Sequence, residues 1–241
     1  MKILITTNSI WNIINFRNDL IERLVKNNYE IYIITNIPKN NLKYSINKNI
    51  KCIDIKLSRK VFSPIKDIIS LIQYTYYYIK IKPDLVFSFT VKPNILSSII
   101  SKLMKVKHIS TVTGLGTHVL KNNILKIIVD NLYKLSLNKN HKIFVHNNYD
   151  KKYFINELNF INTKIKRIYG SGVNLEKFKF SDYAKMPKRS INFVFIGRLI
   201  ADKGIFEFLK CAKIVKKQKK NVKFKIVALV DKNNVSSINI E

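Results

Sequence analysis

Arginine is scarce in this chain. Six of its 44 basic residues are Arg, against 15 acidic residues, so the net charge of +29 rests almost wholly on lysine. Such a lysine excess fits the compositional drift of a genome rich in A and T as well as it fits attraction to a polyanion. No run of five or six basic residues interleaved with aromatics occurs, and no zinc-finger or RNA-recognition pattern, so no nucleic acid partner is expected. Cysteine is scarcer still. Cys52 and Cys211 lie far apart without metal spacing, which excludes a disulfide framework and a zinc site and leaves both expected as core thiols. No uncharged apolar run approaches the ~18 residues that span a bilayer; the best, "IISLIQYTYYYI" at 68–79, is too short. The start, "MKILITTNSIW", turns polar at once and reads as a strand rather than a signal peptide. A cytoplasmic protein is expected, drawn to the anionic inner membrane surface by about 1 kcal/mol per suitably placed lysine.

What remains is a chain of 241 residues, 46% apolar, enough for a substantial core. Short β-branched runs alternate with longer segments of helical period. Strands are predicted at 2–7, 30–35, 84–89, 108–113 and 142–147. Helices are predicted through Phe16–Val25, at 65–81 (ended by Pro83), at 94–104 and at 122–137. This alternation predicts an α/β fold, a doubly wound parallel sheet of Rossmann type whose ligands sit at the carboxyl ends of the strands. The pattern weakens after "IYGSGV" (168–173). Residues 1–180 are read as one domain and 181–190 as a linker; 191–241 form the first βαβ unit of a second Rossmann-type domain, with strands at 191–196 and 222–230 around a helix lined by Ile205, Phe208, Leu209, Ala212 and Val215. A whole domain of this kind needs on the order of 100 residues, so the second is expected to be incomplete.

The segment "VFIGRLIADKGIFEFLKCAKIV" resembles the start of the C-terminal domain of family 4 glycosyltransferases, the retaining, two-domain GT-B enzymes that transfer sugars from nucleotide donors. "NFRNDLI" (15–21), "FTVKPNILSSII" (89–100), "TVTGLGT" (111–117) and "GSGVNLEKF" (170–178) are similar to the branch that builds capsule, O-antigen or glycan chains on polyprenyl-diphosphate lipids. The resemblance implies a GT-B-like fold, a nucleotide-diphosphate sugar as donor substrate with no cofactor and no metal at the diphosphate, and a polyprenyl-diphosphate-linked or glycan acceptor. It also implies a pair of glutamates beyond Glu241 that hold the donor sugar. Two departures bear on activity: that acidic pair has no match before Glu241, and Ala228 stands where relatives commonly carry glycine.

On the donor side, Gly197 is expected to turn the backbone after its strand. Gly204 opens a helix whose free N–H groups cradle a diphosphate, and Arg198 and Lys203 flank the leaving group's growing charge; solvated cations in an ordinary βα loop are the bland alternative. On the acceptor side, Asn8 and Arg17 occupy the first strand-to-helix loop, where capping by Ser9 or Asn15 is the duller account. Thr90, Lys92 and Asn94 meet a helix N-terminus, although Pro93 starts a helix equally well with no ligand. Gly114 and Gly116 form a loop facing the cleft, and His118 is the one candidate for a catalytic role. His108, His141 and His146 flank strands at spacings that suit neither a metal nor a nucleophile pair. Tyr74, Tyr76, Tyr77 and Tyr78, with Lys80 and Lys82, form either a core stripe or an amphipathic face resting on lipid headgroups. The rival to a transferase is a non-catalytic, acceptor-binding chain whose partner chain supplies the missing donor half; a sugar-nucleotide epimerase of the same two-domain fold is a third reading.

Overall fold

The computed structural model describes residues 1–38, 50–57, 63–115, 124–180, 191–219 and 221–229. They form two compact units, Met1–Phe178 and Lys179–Glu241.

The first unit is a seven-stranded parallel sheet in the order β3-β2-β1-β4-β5-β6-β7. Its strands are β1 (Lys2–Thr6), β2 (Glu30–Thr35), β3 (Lys51–Asp54), β4 (Leu85–Phe89), β5 (Lys107–Val112), β6 (Lys142–Val145) and β7 (Ile165–Arg167). The edge strands β3 and β7 add to the five predicted in this unit. The helices are α1 (Ile10–Phe16), α2 (Asn18–Lys26), α3 (Pro64–Ile81), α4 (Val91–Leu103), α5 (Ile124–Leu137) and the short α6 (Asn148–Lys152), which runs into a π-helical turn at Tyr153–Glu157. Strand order reverses between β1 and β4, the switch point at which doubly wound sheets open a crevice outside their carboxyl ends.

Alternation along β1 distributes its side chains to two layers, as a strand with period two must. Ile3 and Ile5 join Ile10, Ile13, Ile21, Ile31, Ile33 and Phe89 in one cluster under α1 and α2. Leu4 joins Tyr74, Tyr78 and Ile81 of α3 and Leu96 and Ile100 of α4 on the other face. A third cluster gathers Val129, Tyr133 and Leu137 of α5 with Ile143, Val145 and Phe154. Fully burying each such aliphatic chain contributes roughly 1.5–3 kcal/mol.

Several expectations need correction. Tyr74 and Tyr78 are core residues, while Tyr76 is exposed, so the tyrosines divide between layers and form no single lipid-facing stripe. The outer face of α3 is instead isoleucine: Ile65, Ile68, Ile69, Ile72 and Ile79 are all exposed beside Tyr76. Cys211 is exposed on α7, and Cys52, on the edge strand β3, packs against the cluster under α1 and α2 but is only partly buried. The single helix predicted through Phe16–Val25 is two helices broken at Arg17, whose φ of −129° takes it out of helical backbone.

The second unit comprises β8 (Ile191–Arg198) paired in parallel with β9 (Val222–Leu229), a short 3₁₀ turn (Ala201–Lys203) and α7 (Ile205–Gln218). Phe193 and Phe224 stack across the strands at 4.9 Å, and Phe208 of α7 meets the Phe224 ring edge-on at 5.6 Å.

Candidate functional site

Seven of the ten buried side-chain polar atoms that lack a hydrogen-bond partner among the described residues lie at one edge of the first unit. They are Thr7 Oγ1 just past β1, Asn12 Oδ1 in α1, Arg17 Nε and Nη2, Thr35 Oγ1 at the end of β2, Thr90 Oγ1 just past β4, and His146 Nε2 just past β6. Buried polar groups are normally satisfied, and those that are not mark strain or a place where a ligand supplies the missing bond. Here they gather at the carboxyl ends of the strands, on both sides of the switch point.

Arg17 is the centre of this edge. The break between α1 and α2 brings its backbone over the sheet, where its N–H donates to Ile13 O at 2.8 Å and its carbonyl accepts from Ile21 N at 2.9 Å. The guanidinium lies over the ring of Phe89, 4.1 Å from the centroid, and Nη1 donates only to Phe16 O at 3.4 Å. The residue is 5% exposed, and among the described residues no carboxylate pairs with it. Burial without a counter-ion lowers its pKa to about 10, so it remains a cation at neutral pH. A desolvated guanidinium without a carboxylate partner among the described residues is costly to the fold and presents its donor fork to an anion.

Thr90 sits next to Phe89 with φ 73° and ψ 164°, a region that β-branched residues almost never occupy. It is the N-cap of α4 yet makes no side-chain cap, so its hydroxyl stays free at a helix N-terminus. His146 was not singled out by its sequence. Partial burial lowers its pKa, and the charge of Arg17 lowers it further, which keeps the ring neutral near pH 7 and ties it electrically to the same site.

The other acceptor-side residues divide. Asn8 is exposed just beyond β1. Lys92 is mostly covered and forms an ion pair with Asp67 of α3, so its charge is already engaged. Asn94 is wholly buried; its Oδ1 accepts from Ser88 Oγ at 2.7 Å and its Nδ2 donates to Thr111 O at 3.0 Å. Its side chain ties β4, α4 and β5 together instead of facing a ligand. Gly114 follows β5 with φ 143°, a backbone setting that favours glycine, and open space surrounds the position its Cβ would take. Gly116 and His118 lie outside the described residues.

In the second unit, Gly204 at φ 78° is the residue that turns the chain into α7. Gly197 does not turn: it is a strand residue of β8, in register with Ala228 of β9, and a Cβ there would meet only the Phe195 ring at 3.7 Å. Arg198 ends β8, and Lys203 ends the 3₁₀ turn beside Gly204, so both belong to the short connection leading to the α7 N-terminus. Glu207 occupies the first turn of α7.

A family model described as "Glycosyl transferase 4-like" matches residues 2–147. The chain is 26% identical to the capsular polysaccharide biosynthesis glycosyltransferase CapM of Staphylococcus aureus, over 89% of this chain and 58% of that protein. It is 24% identical to the N,N'-diacetylbacillosaminyl-diphospho-undecaprenol alpha-1,3-N-acetylgalactosaminyltransferase of Campylobacter jejuni, over 85% of this chain and 58% of that one. The chain thus spans 58% of the length of each of these relatives. Among solved structures it is similar to sucrose-phosphate synthase of Thermosynechococcus elongatus (TM-score 0.68, 14% identity, 98% of this chain and 64% of that one). It is also similar to UDP-GlcNAc 2-epimerase of Neisseria meningitidis bound to UDP-GlcNAc (TM-score 0.64, 15% identity, 96% and 67%). Those two likenesses are of fold: an α/β, GT-B-like architecture serves a transferase and an epimerase alike. The family match covers more than half of the chain, including Arg17 and six of the seven strands of the sheet, and the chain belongs to the glycosyl transferase 4-like family.

Proposed function

We propose that the chain serves the transfer of a hexose or N-acetylhexosamine from a nucleotide-sugar donor to a lipid-linked or growing surface glycan, with retention at the transferred carbon. The observation that carries the reading is the buried guanidinium of Arg17, without a carboxylate partner among the described residues, at the sheet's carboxyl edge and inside the matched region. An acceptor bearing a phosphate or diphosphate offers the charge and the acceptor atoms that Arg17 lacks. Thr90, with its free hydroxyl and neighbouring helix N-terminus, and His146 complete that side. In the second unit, the α7 N-terminus after Gly204, with Arg198 and Lys203, is assigned to the donor diphosphate, where fixed cations stabilise the leaving group without a metal. Retention then follows from attack on the face the leaving group departs, assisted by the donor phosphate, so binding geometry carries much of the rate.

Both named relatives support a glycan acceptor: one acts in capsule synthesis, the other on a diphospho-undecaprenol-linked sugar. A peripheral position on the inner membrane is part of the proposal. No helix among the described residues is long and apolar enough to cross a membrane. The exposed isoleucine face of α3, with Lys66, Lys80 and Lys82 on the same helix or at its end, suits the headgroup layer. The second reading is an acceptor-binding chain that works with a partner chain supplying the rest of the donor site. Turnover of a labelled nucleotide sugar onto a short prenyl-diphosphate sugar by the purified protein, lost in Arg198→Ala, supports the transferase; acceptor binding without turnover supports the second reading.

A further inference from the structure

The amino ends of the central strands, the edge away from Arg17, hold a second basic site. A cavity of about 360 Å³ opens between the C-terminus of α4, the start of β5 and the turn before β6. Lys102, Lys105, Lys107 and Lys139 line it, with His108 and Asn140. Lysine makes up 38 of the 241 residues (44 basic less six Arg), or about one in six. Compositional drift alone would place one or two among the nine lining residues, not four. Among the described residues no carboxylate lines the cavity. A helix C-terminus attracts cations, and Lys102, in the last turn of α4, donates to Leu135 O at 3.3 Å. Lys107 and Lys139 belong to other elements, so the helix dipole does not account for them.

The buried part of the lining has a fixed polarity. His108 is 2% exposed, and its Nε2 meets Ser88 Oγ at 2.7 Å. Ser88 donates its own proton to Asn94 Oδ1, so it accepts from His108, and the ring carries its hydrogen on Nε2. Nδ1 is left as a lone pair without a partner. Burial pushes the ring's pKa down to about 3, so it is neutral. Asn140 spends its amide hydrogens on Ser98 Oγ at 3.0 Å and Ser110 Oγ at 2.7 Å. A cationic rim thus surrounds uncharged polar groups, and the volume falls within the range of small-molecule sites.

We infer that this cavity is a binding site for a phosphate group, separate from the donor and acceptor sites assigned above, with the four rim lysines neutralising a phosphate dianion. The phosphate belongs either to a small phosphorylated molecule or to an anionic lipid headgroup.

Nuclear magnetic resonance on the whole chain tests this, with inorganic phosphate and diphosphate as probes at low ionic strength, where exposed cations are least screened. The amides of Lys105, Val106, Lys107 and His141 should shift together and saturate, and the His108 Nδ1 resonance should move with them as the nearby field changes. Replacing two rim cations (Lys105→Gln with Lys107→Gln) should weaken binding about tenfold. The matched pair Lys213→Gln with Lys216→Gln, on α7, should leave it unchanged. Absence of saturation, a still His108 resonance, or equal weakening by the matched pair overturns the inference. Phosphatidylglycerol vesicles separate the sources. Shifts in the same amides that phosphate competes away identify a headgroup; no vesicle effect identifies a soluble phosphate; vesicle binding that phosphate cannot displace counts against the site.

Discussion

The guanidinium of Arg17 lies 4.1 Å from the ring centroid of Phe89, with Nε and Nη2 unpaired and the residue 5% exposed. Phe89 closes β4 and Arg17 interrupts the helices that follow β1, so this contact spans the switch point of the sheet. The ring offers its electron-rich face, worth about 1–2 kcal/mol when desolvated, which only partly offsets the dehydration of an unpaired charge.

Arg17→Met should therefore stabilise the fold by about 1 kcal/mol, since it keeps the packing on Phe89 and removes the buried charge. Thermal unfolding should register a rise of roughly 2–4 °C. A clear fall would mean that the fold itself already satisfies the guanidinium.

Thr90 makes a similar prediction through the backbone. Thr90→Gly should relieve strain of roughly 1–3 kcal/mol, less the extra flexibility glycine gives the unfolded chain, for a net gain of about 1 kcal/mol in urea unfolding. Affinity for a phosphate-bearing acceptor should drop at the same time, because the free hydroxyl is gone.

His108 sets a pH dependence. Its folded pKa, about 3 by burial, lies below the unfolded value of about 6.5. The unfolded chain therefore binds the extra proton between these limits. Stability from this group is complete above about pH 6.5 and is lost as pH falls toward 3, with a slope of up to about 1.4 kcal/mol per pH unit. In His108→Gln, the urea-derived stability should fall less steeply over that range by about one proton's worth.

On the donor side, Gly204→Ala forces an L-residue to φ 78° and should cost about 1–2 kcal/mol. Arg198→Ala should weaken nucleoside-diphosphate binding at least about tenfold, as loss of a charge-assisted bond does. Urea unfolding checks the first, and isothermal titration against a panel of nucleoside diphosphates checks the second.

Much of this architecture was legible in the sequence because strands buried on both faces read as continuous β-branched runs, as "KILITT" and "EIYIIT" do. The edge strands were not: "KCID" and "IKR" are short, partly exposed and without alternation. The helix break at Arg17 was hidden because apolar periodicity continues across it. For the site, Arg17 and Thr90 could be named from motifs, but their distinguishing properties could not, since an uncompensated charge and a strained φ leave no pattern in residue types. His146 resembles any histidine at a strand end until its neighbour Arg17 is placed. Asn94 shows the reverse: a motif residue at a helix start proved to be wholly buried, joining three elements.

The most direct measurement is equilibrium binding of a short-chain polyprenyl-diphosphate sugar to the wild-type protein and to Arg17→Met, with thermal unfolding of both. We expect saturable binding by the wild type and a loss of roughly 2 kcal/mol or more, about thirty-fold, in a variant at least as stable. Equal affinity in the two proteins would contradict the assignment of Arg17 as the anion receptor at the sheet's carboxyl edge.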